Sequence, residues 1–116
     1  MRLLRDPTFY AAILATLLPF LATGGWVMAT SKEHVVSQLG LAFTPSNLTI
    51  QRGETVKILN DDRDLLHHVY VESDRLKFNS DDQRPGSHIN IIFPITGTFA
   101  VLCAIHPRMR LTVHVK

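Results

Sequence analysis

Two regimes of hydrophobic patterning divide the chain. From Phe9 to Ala22 the apolar residues run together in one dense block. Beyond Ser31 they come in short stretches separated by turn residues. Thr55-Val56-Lys57-Ile58-Leu59 alternates with a period of two, as a strand with one buried face does. Val35 to Phe43 reads as a first strand region, closed by a turn at Pro45-Ser46-Asn47. Leu48-Thr49-Ile50 leads into Arg52-Gly53-Glu54, where Gly53 marks a hairpin turn. A polar loop, Asn60 to Asp64, follows, and its Asp61, Asp62 and Asp64 read as a solvated cluster. His67 to Val71 is β-rich, Ser73 to Arg84 reads as loop, and Pro85-Gly86 is a turn. His88 to Phe93, Thr98 to Cys103 and Arg110 to Lys116 complete the set, with Thr96-Gly97 turning the chain between the first two. No segment after Ser31 carries helical periodicity. Seven or so short strands predict an all-β sandwich.

The N-terminal block changes the picture of location. Arg2 and Arg5 precede it, and no charged residue lies between Pro7 and Ser31. A basic start, a short apolar stretch and small residues at Val27 and Ala29 read as an export signal. Left uncleaved, the same stretch reads as a membrane anchor, since about 20 apolar residues span a bilayer. Residues 1–29 are therefore assigned to a signal peptide or anchor, and residues 30–116 to the folded domain. Both readings put the domain outside the cytoplasm, in a periplasm or its equivalent. A membrane is involved only if the segment is retained.

Composition then removes several classes. The 116 residues suit one small domain. Lys and Arg number 12 against 10 Asp and Glu, a net charge of +2 with no polybasic block. That is not a nucleic-acid footprint. The single cysteine excludes an internal disulfide, a CxxC motif and a multi-cysteine cluster. Nothing in the chain demands an oligomer, so a monomer is expected.

The chemistry concentrates in Cys103-Ala104-Ile105-His106-Pro107-Arg108-Met109. A thiol, an imidazole and a thioether fall within this one segment, just past a strand end. Alternation puts Cys103 on the same face as Phe99 and Val101, towards the core. Thiolate and thioether ligands select copper, and imidazole suits it. A His₂Cys site with a weak axial Met is an electron-transfer arrangement of copper, and it needs a second histidine. His67 shares its face with Val69 and Val71, whereas His68 shares the other with Tyr70 and Glu72. His67 is the expected ligand and His68 the alternative. His34, near the start of the exported part, reads as solvated, and His88 and His114 fall in strands without a ligand role. The aspartate cluster lacks the glycine and distal glutamate of an EF-hand loop. A zinc reading of Cys plus two His would need a stronger fourth ligand than Met.

These residues carry a resemblance. Phe43-x-Pro45, Gly53-Glu54-Thr55-Val56 into Asn60, His67-x-Val69 and Gly97-x-Phe99-x-Val101-x-Cys103-x-x-His106-x-x-Met109 together resemble the cupredoxins, small blue-copper proteins. The short Cys-x-x-His-x-x-Met spacing is similar to that of the amicyanins, and His67-His68-Val69-Tyr70 with Lys77-Phe78 resembles cupredoxin-like proteins of methylamine-utilisation clusters. The resemblance implies a Greek-key β-sandwich of about seven to eight strands. It implies one type 1 copper ion, cycling between Cu(I) and Cu(II), held by His67, Cys103, His106 and Met109. One departure stands out: many family members have Asn directly after the first histidine ligand, where its side chain ties the two ligand loops together. Here that residue is His68.

The expected function is one-electron transport, with electrons leaving through the exposed edge of His106. Ile105 and Pro107 would form an apolar docking patch there, with Arg108 and Arg110 as a basic rim facing an acidic partner. By resemblance to amicyanins, the partners would be a dehydrogenase such as methylamine dehydrogenase and a c-type cytochrome. Copper delivery and a metal-free assembly module are the alternatives. An enzyme is not expected, because no nucleophile–base pair stands out.

Overall fold

The computed structural model describes Gly24, Gly25 and residues 32–116. The assignment of residues 1–29 to a signal or anchor therefore lies almost wholly outside the described residues. Among the described residues no helix is long and apolar enough to cross a membrane.

The alternating segments fold into nine strands among the described residues: β1 (Glu33–Gln38), β2 (Phe43–Thr44), β3 (Asn47–Ile50), β4 (Thr55–Asn60), β5 (Val69–Glu72), β6 (Phe78–Asn79), β7 (His88–Ile92), β8 (Gly97–Cys103) and β9 (Arg110–Val115). They form two sheets, one ordered β2-β1-β4-β7 and the other β3-β9-β8-β5-β6. The described residues form an all-β sandwich, as the patterning predicts. Two of the nine strands, β2 and β6, are only two residues long. Runs that short carry no periodicity.

Period-two burial is clean where it matters. Val56, Ile58 and Asn60 of β4 turn inward, as do Phe99, Val101 and Cys103 of β8 and Leu111, Val113 and Val115 of β9. Their apolar side chains meet in one core, in which Phe93 and Phe99 pack at 5.7 Å between ring centroids. Burying such side chains contributes about 1.5–3 kcal/mol each.

Four local expectations are corrected. Val35 to Phe43 is not one strand: β1 ends at Gln38, and Gly40 and Leu41 turn the chain with φ of 63° and 62°. Gly53, at φ 87°, does not close a hairpin. Its turn carries the chain from β3 in one sheet to β4 in the other, because β3 runs parallel to β9 while β4 runs parallel to β1. A tight turn has the same residues in either case, so composition does not reveal which strands it joins. The segment Ser73 to Arg84 contains β6, paired with β5. His34 is not solvated; it sits in β1, with its ring 2.8 Å from the Glu54 carboxylate.

The buried polar residues among those described, Gln38, Asn60, Asp62, His67 and Gln83, gather at one end of the sandwich. There β1 ends at Gln38 opposite Asn60 of β4, and β5 begins at Val69 opposite Cys103 of β8.

Candidate metal centre

Cys103 is the last residue of β8, and its inward parity leaves the thiol 1% exposed. The chain then turns over a short loop. Met109 N–H donates to the carbonyl of His106 at 3.0 Å, closing that loop before β9 begins. This turn brings the His106 ring back over the thiol, with Nδ1 3.7 Å from Sγ. His106 is half-buried, and Met109 beyond it is buried in the core.

His67 arrives from the other side, just before β5. It is fully buried, and its Nδ1 also lies 3.7 Å from Cys103 Sγ. The two imidazoles meet edge to face with centroids 5.1 Å apart. One ligand atom from each of His67, Cys103 and His106 lies within 4.8 Å of the others. His68 is not part of this group. Its side chain turns outward, with Nε2 2.7 Å from Asn79 Oδ1 and Nδ1 3.3 Å from Asp82 Oδ1.

Backbone hydrogen bonds join the two segments that carry His67 and Cys103. His68 N–H donates to Cys103 Sγ at 3.4 Å, and Ala104 N–H donates to the His68 carbonyl at 2.8 Å. The two ligand-bearing segments are thereby joined without the side chain of residue 68.

Asp62 corrects the reading of the aspartate cluster as solvated. It is buried, and its Oδ2 lies 2.6 Å from His67 Nε2. Its Oδ1 accepts the Gly40 N–H at 3.0 Å, and its own N–H donates to Asn60 Oδ1. Burial is the largest influence on this carboxyl and pushes its pKa up. The Gly40 N–H, the His67 hydrogen bond and the charges of His67 and His106 together outweigh it, so the pKa falls below the ordinary value. A carboxylate accepts only, so the proton of that contact sits on His67 Nε2. The tautomer leaves the Nδ1 lone pair free and aimed at the thiol, the orientation a metal-ligating histidine takes from a carboxylate. The sequence holds a signal for Asp62: Val56, Ile58, Asn60 and Asp62 share one parity, and the buried face runs on past the end of β4.

The donor set fits a copper ion. Separations of 3.7 Å between Sγ and each Nδ1 leave room for one metal ion bonded to all three atoms, since two bonds of roughly 2.0–2.3 Å, the lengths zinc makes to nitrogen and sulfur, span that distance at an open angle. The donors are a shielded thiol and two imidazoles, with a thioether on the loop that follows; sulfur donors of this kind suit Cu(I) as well as zinc, and a thioether is a donor that copper sites use as a weak fourth ligand.

The exposed side of His106 borders a depression lined by Leu41, Ile105, Pro107, Arg108 and Met109. Ile105, Pro107 and Arg108 are exposed, as is Arg110 at the start of β9, although Arg110 is not in the lining. Leu41, from the turn after β1, joins this surface with no local signal in the sequence. His88 is exposed and His114 faces Thr98, both outside the cluster.

No protein-family model matches the chain, and no curated protein does. Solved structures do. The chain is similar to a copper-containing nitrite reductase from Thermus scotoductus SA-01, at 27% identity and a TM-score of 0.66 over 73% of this chain; it spans only 22% of that one. It is similar to an amicyanin mutant in its reduced state, at 22% identity and a TM-score of 0.67, covering 72% of this chain and 82% of that one. An oxidised amicyanin mutant matches at 19% identity and a TM-score of 0.67, covering 78% of this chain and 88% of that one. The fold is that of an amicyanin-like cupredoxin.

Proposed function

We propose that the chain is a mononuclear type 1 copper protein that carries single electrons outside the cytoplasm. The observation that carries this reading is the buried thiol of Cys103 with two imidazole Nδ1 atoms each 3.7 Å away. His67, Cys103 and His106 would hold the ion, with Met109 as the weak axial donor. Copper bound there would supply a one-electron couple between its two common oxidation states.

The residues around the site serve that role. Asp62 holds the proton on His67 Nε2 and keeps Nδ1 available. The N–H of His68 stabilises negative charge on the sulfur. Cys103, His67 and Met109 are sealed from water, so little solvent would reorganise on electron transfer. Of the two imidazoles, only that of His106 reaches the surface depression, which makes its ring edge the port. The apolar lining there, with Arg108 and Arg110 beside it, suits brief encounters with redox proteins that present acidic rims. By the likeness to amicyanins, the partners we propose are a dehydrogenase such as methylamine dehydrogenase as donor and a c-type cytochrome as acceptor. The structures it resembles include both amicyanins and part of a reductase, and this reading groups the chain with the carriers.

The test is spectroscopic. The purified protein given copper(II) should show an intense visible thiolate-to-copper absorption that reduction bleaches and reoxidation restores. A copper-loaded protein that stays colourless when oxidised would overturn the proposal. Rapid surrender of copper(I) to a competing chelator, with slow electron exchange, would point to delivery instead.

A further inference from the structure

His67 stands outside the regular ladder of β5, which begins only at Val69. Its backbone is held by an isolated bridge to Gln83. His67 N–H donates to the Gln83 carbonyl at 3.1 Å, and Gln83 N–H donates to the His67 carbonyl at 2.6 Å. The placement of the His67 Cα–Cβ bond therefore depends on where Gln83 sits.

Gln83 lies in the segment between β6 and β7. Its neighbours Asp81, Asp82, Arg84, Pro85 and Gly86 are all exposed, whereas Gln83 itself is 3% exposed. Its side chain reaches into the other sheet. Nε2 donates to the carbonyls of Ile58, at 3.0 Å, and Ser87, at 3.2 Å. Oε1 accepts from Gln38 Nε2 at 2.7 Å. The carbonyl of Gln83 also accepts from Asn60 Nδ2 at 2.9 Å. Two carbonyls on one side and a donor on the other fix the orientation of the amide. Both of its hydrogens and its oxygen are used, so the buried group is fully satisfied.

We propose that Gln83 is a positioning residue of the metal centre. It fastens the backbone of His67 to β1 and β4 of the opposite sheet and so sets where the first histidine presents its Nδ1. The proposal rests on the copper reading of the site. Replacing the amide by an apolar chain of similar length would leave the Gln38 donor unpaired and free the segment from β4. The bridge to His67 would then move with that segment. Residues that orient a ligand from behind cost about 10–100-fold in metal affinity when lost.

The experiment compares the full chain with Gln83→Met and with Ile50→Val, a core change where β3 pairs with Val115, at the far end of β9 from the site. Two readouts are needed. Amide hydrogen exchange in the metal-free protein reports on the bridge, and chelator competition for copper(I) reports on the site. Gln83→Met should speed exchange at His67 and Gln83 selectively and weaken copper(I) binding by about 10-fold or more. Ile50→Val should do neither. Unchanged exchange at His67, or a copper shift no larger than that of Ile50→Val, would overturn the proposal. If the unmodified chain takes up no copper, the functional reading fails, and the exchange at His67 still decides whether Gln83 positions it. Should Gln83→Met not fold, Gln38→Met removes only the 2.7 Å bond. The same two readouts then apply: smaller shifts of the same sign support the proposal, and unchanged values overturn it.

Discussion

Asp62 Oδ2 lies 2.6 Å from His67 Nε2, while the other oxygen of the same carboxylate takes the Gly40 amide. One buried acid thus ties the turn after β1 to the ring that faces the thiol. In Asp62→Asn, Oδ1 keeps the Gly40 bond but an amide N–H meets His67 Nε2. The imidazole proton is driven to Nδ1, on the copper side. Copper affinity should fall by about 10–100-fold. Stability should fall by about 1 kcal/mol, as a charge-assisted hydrogen bond becomes a neutral one. Chelator competition and urea unfolding measure the two effects.

Acid should undo two of the anchoring contacts in a defined direction. Glu54 has its carboxyl held below the ordinary glutamate value, first by the Gln51 backbone N–H and then by His34. Asp62 is likewise held below the ordinary aspartate value despite its burial. A depressed carboxylate stabilises the fold fully above its unfolded pKa, and the gain is lost as pH falls through the folded value. Urea midpoints should therefore hold steady down to about pH 5 on this account and fall below it. Glu54→Gln should be less stable than the parent at neutral pH, and the gap should close as both are acidified.

Met109 can be separated into packing and ligation. It is 1% exposed. Met109→Ala should cost about 2–5 kcal/mol by opening a cavity. Met109→Leu conserves volume and should cost less than about 1.5 kcal/mol. If the thioether donates to copper, Met109→Leu should nevertheless raise the reduction potential, because the oxidised ion loses a donor. Voltammetry beside urea unfolding distinguishes the two roles.

The two adjacent histidines should behave differently. His67→Ala removes a buried ring 3.7 Å from Sγ and should abolish the visible charge-transfer band. His68→Ala removes contacts to Asn79 and Asp82 on the surface and should leave the band in place. Its stability should change by no more than about 1 kcal/mol. Spectra of both variants after copper addition check this.

Facing is legible in the chain, and neighbourhood is not. The alternation of Phe99, Val101 and Cys103 predicts the inward thiol, and Val69 and Val71 predict the inward parity of His67. Both follow from the two-residue period alone. The parallel partnerships of β1 with β4 and β3 with β9 join segments far apart in sequence, and no local pattern specifies them. Asp62 reads by its charge as solvated, although its parity with Asn60 points inward. Gln83 leaves no periodic trace, because its burial arises from an amide that meets carbonyls of the other sheet. Polar residues are buried by their partners, and partners are a property of the fold.

The hydrogen bond from residue 68 to the thiol is written in the main chain. Every amino acid except proline supplies the same N–H, so no ordinary substitution there erases it. A change of side chain at this position therefore leaves that donor to the sulfur in place. The side chain of His68 is thereby spared any duty toward the sulfur, and its ring instead binds the strand and segment beside it through Asn79 and Asp82.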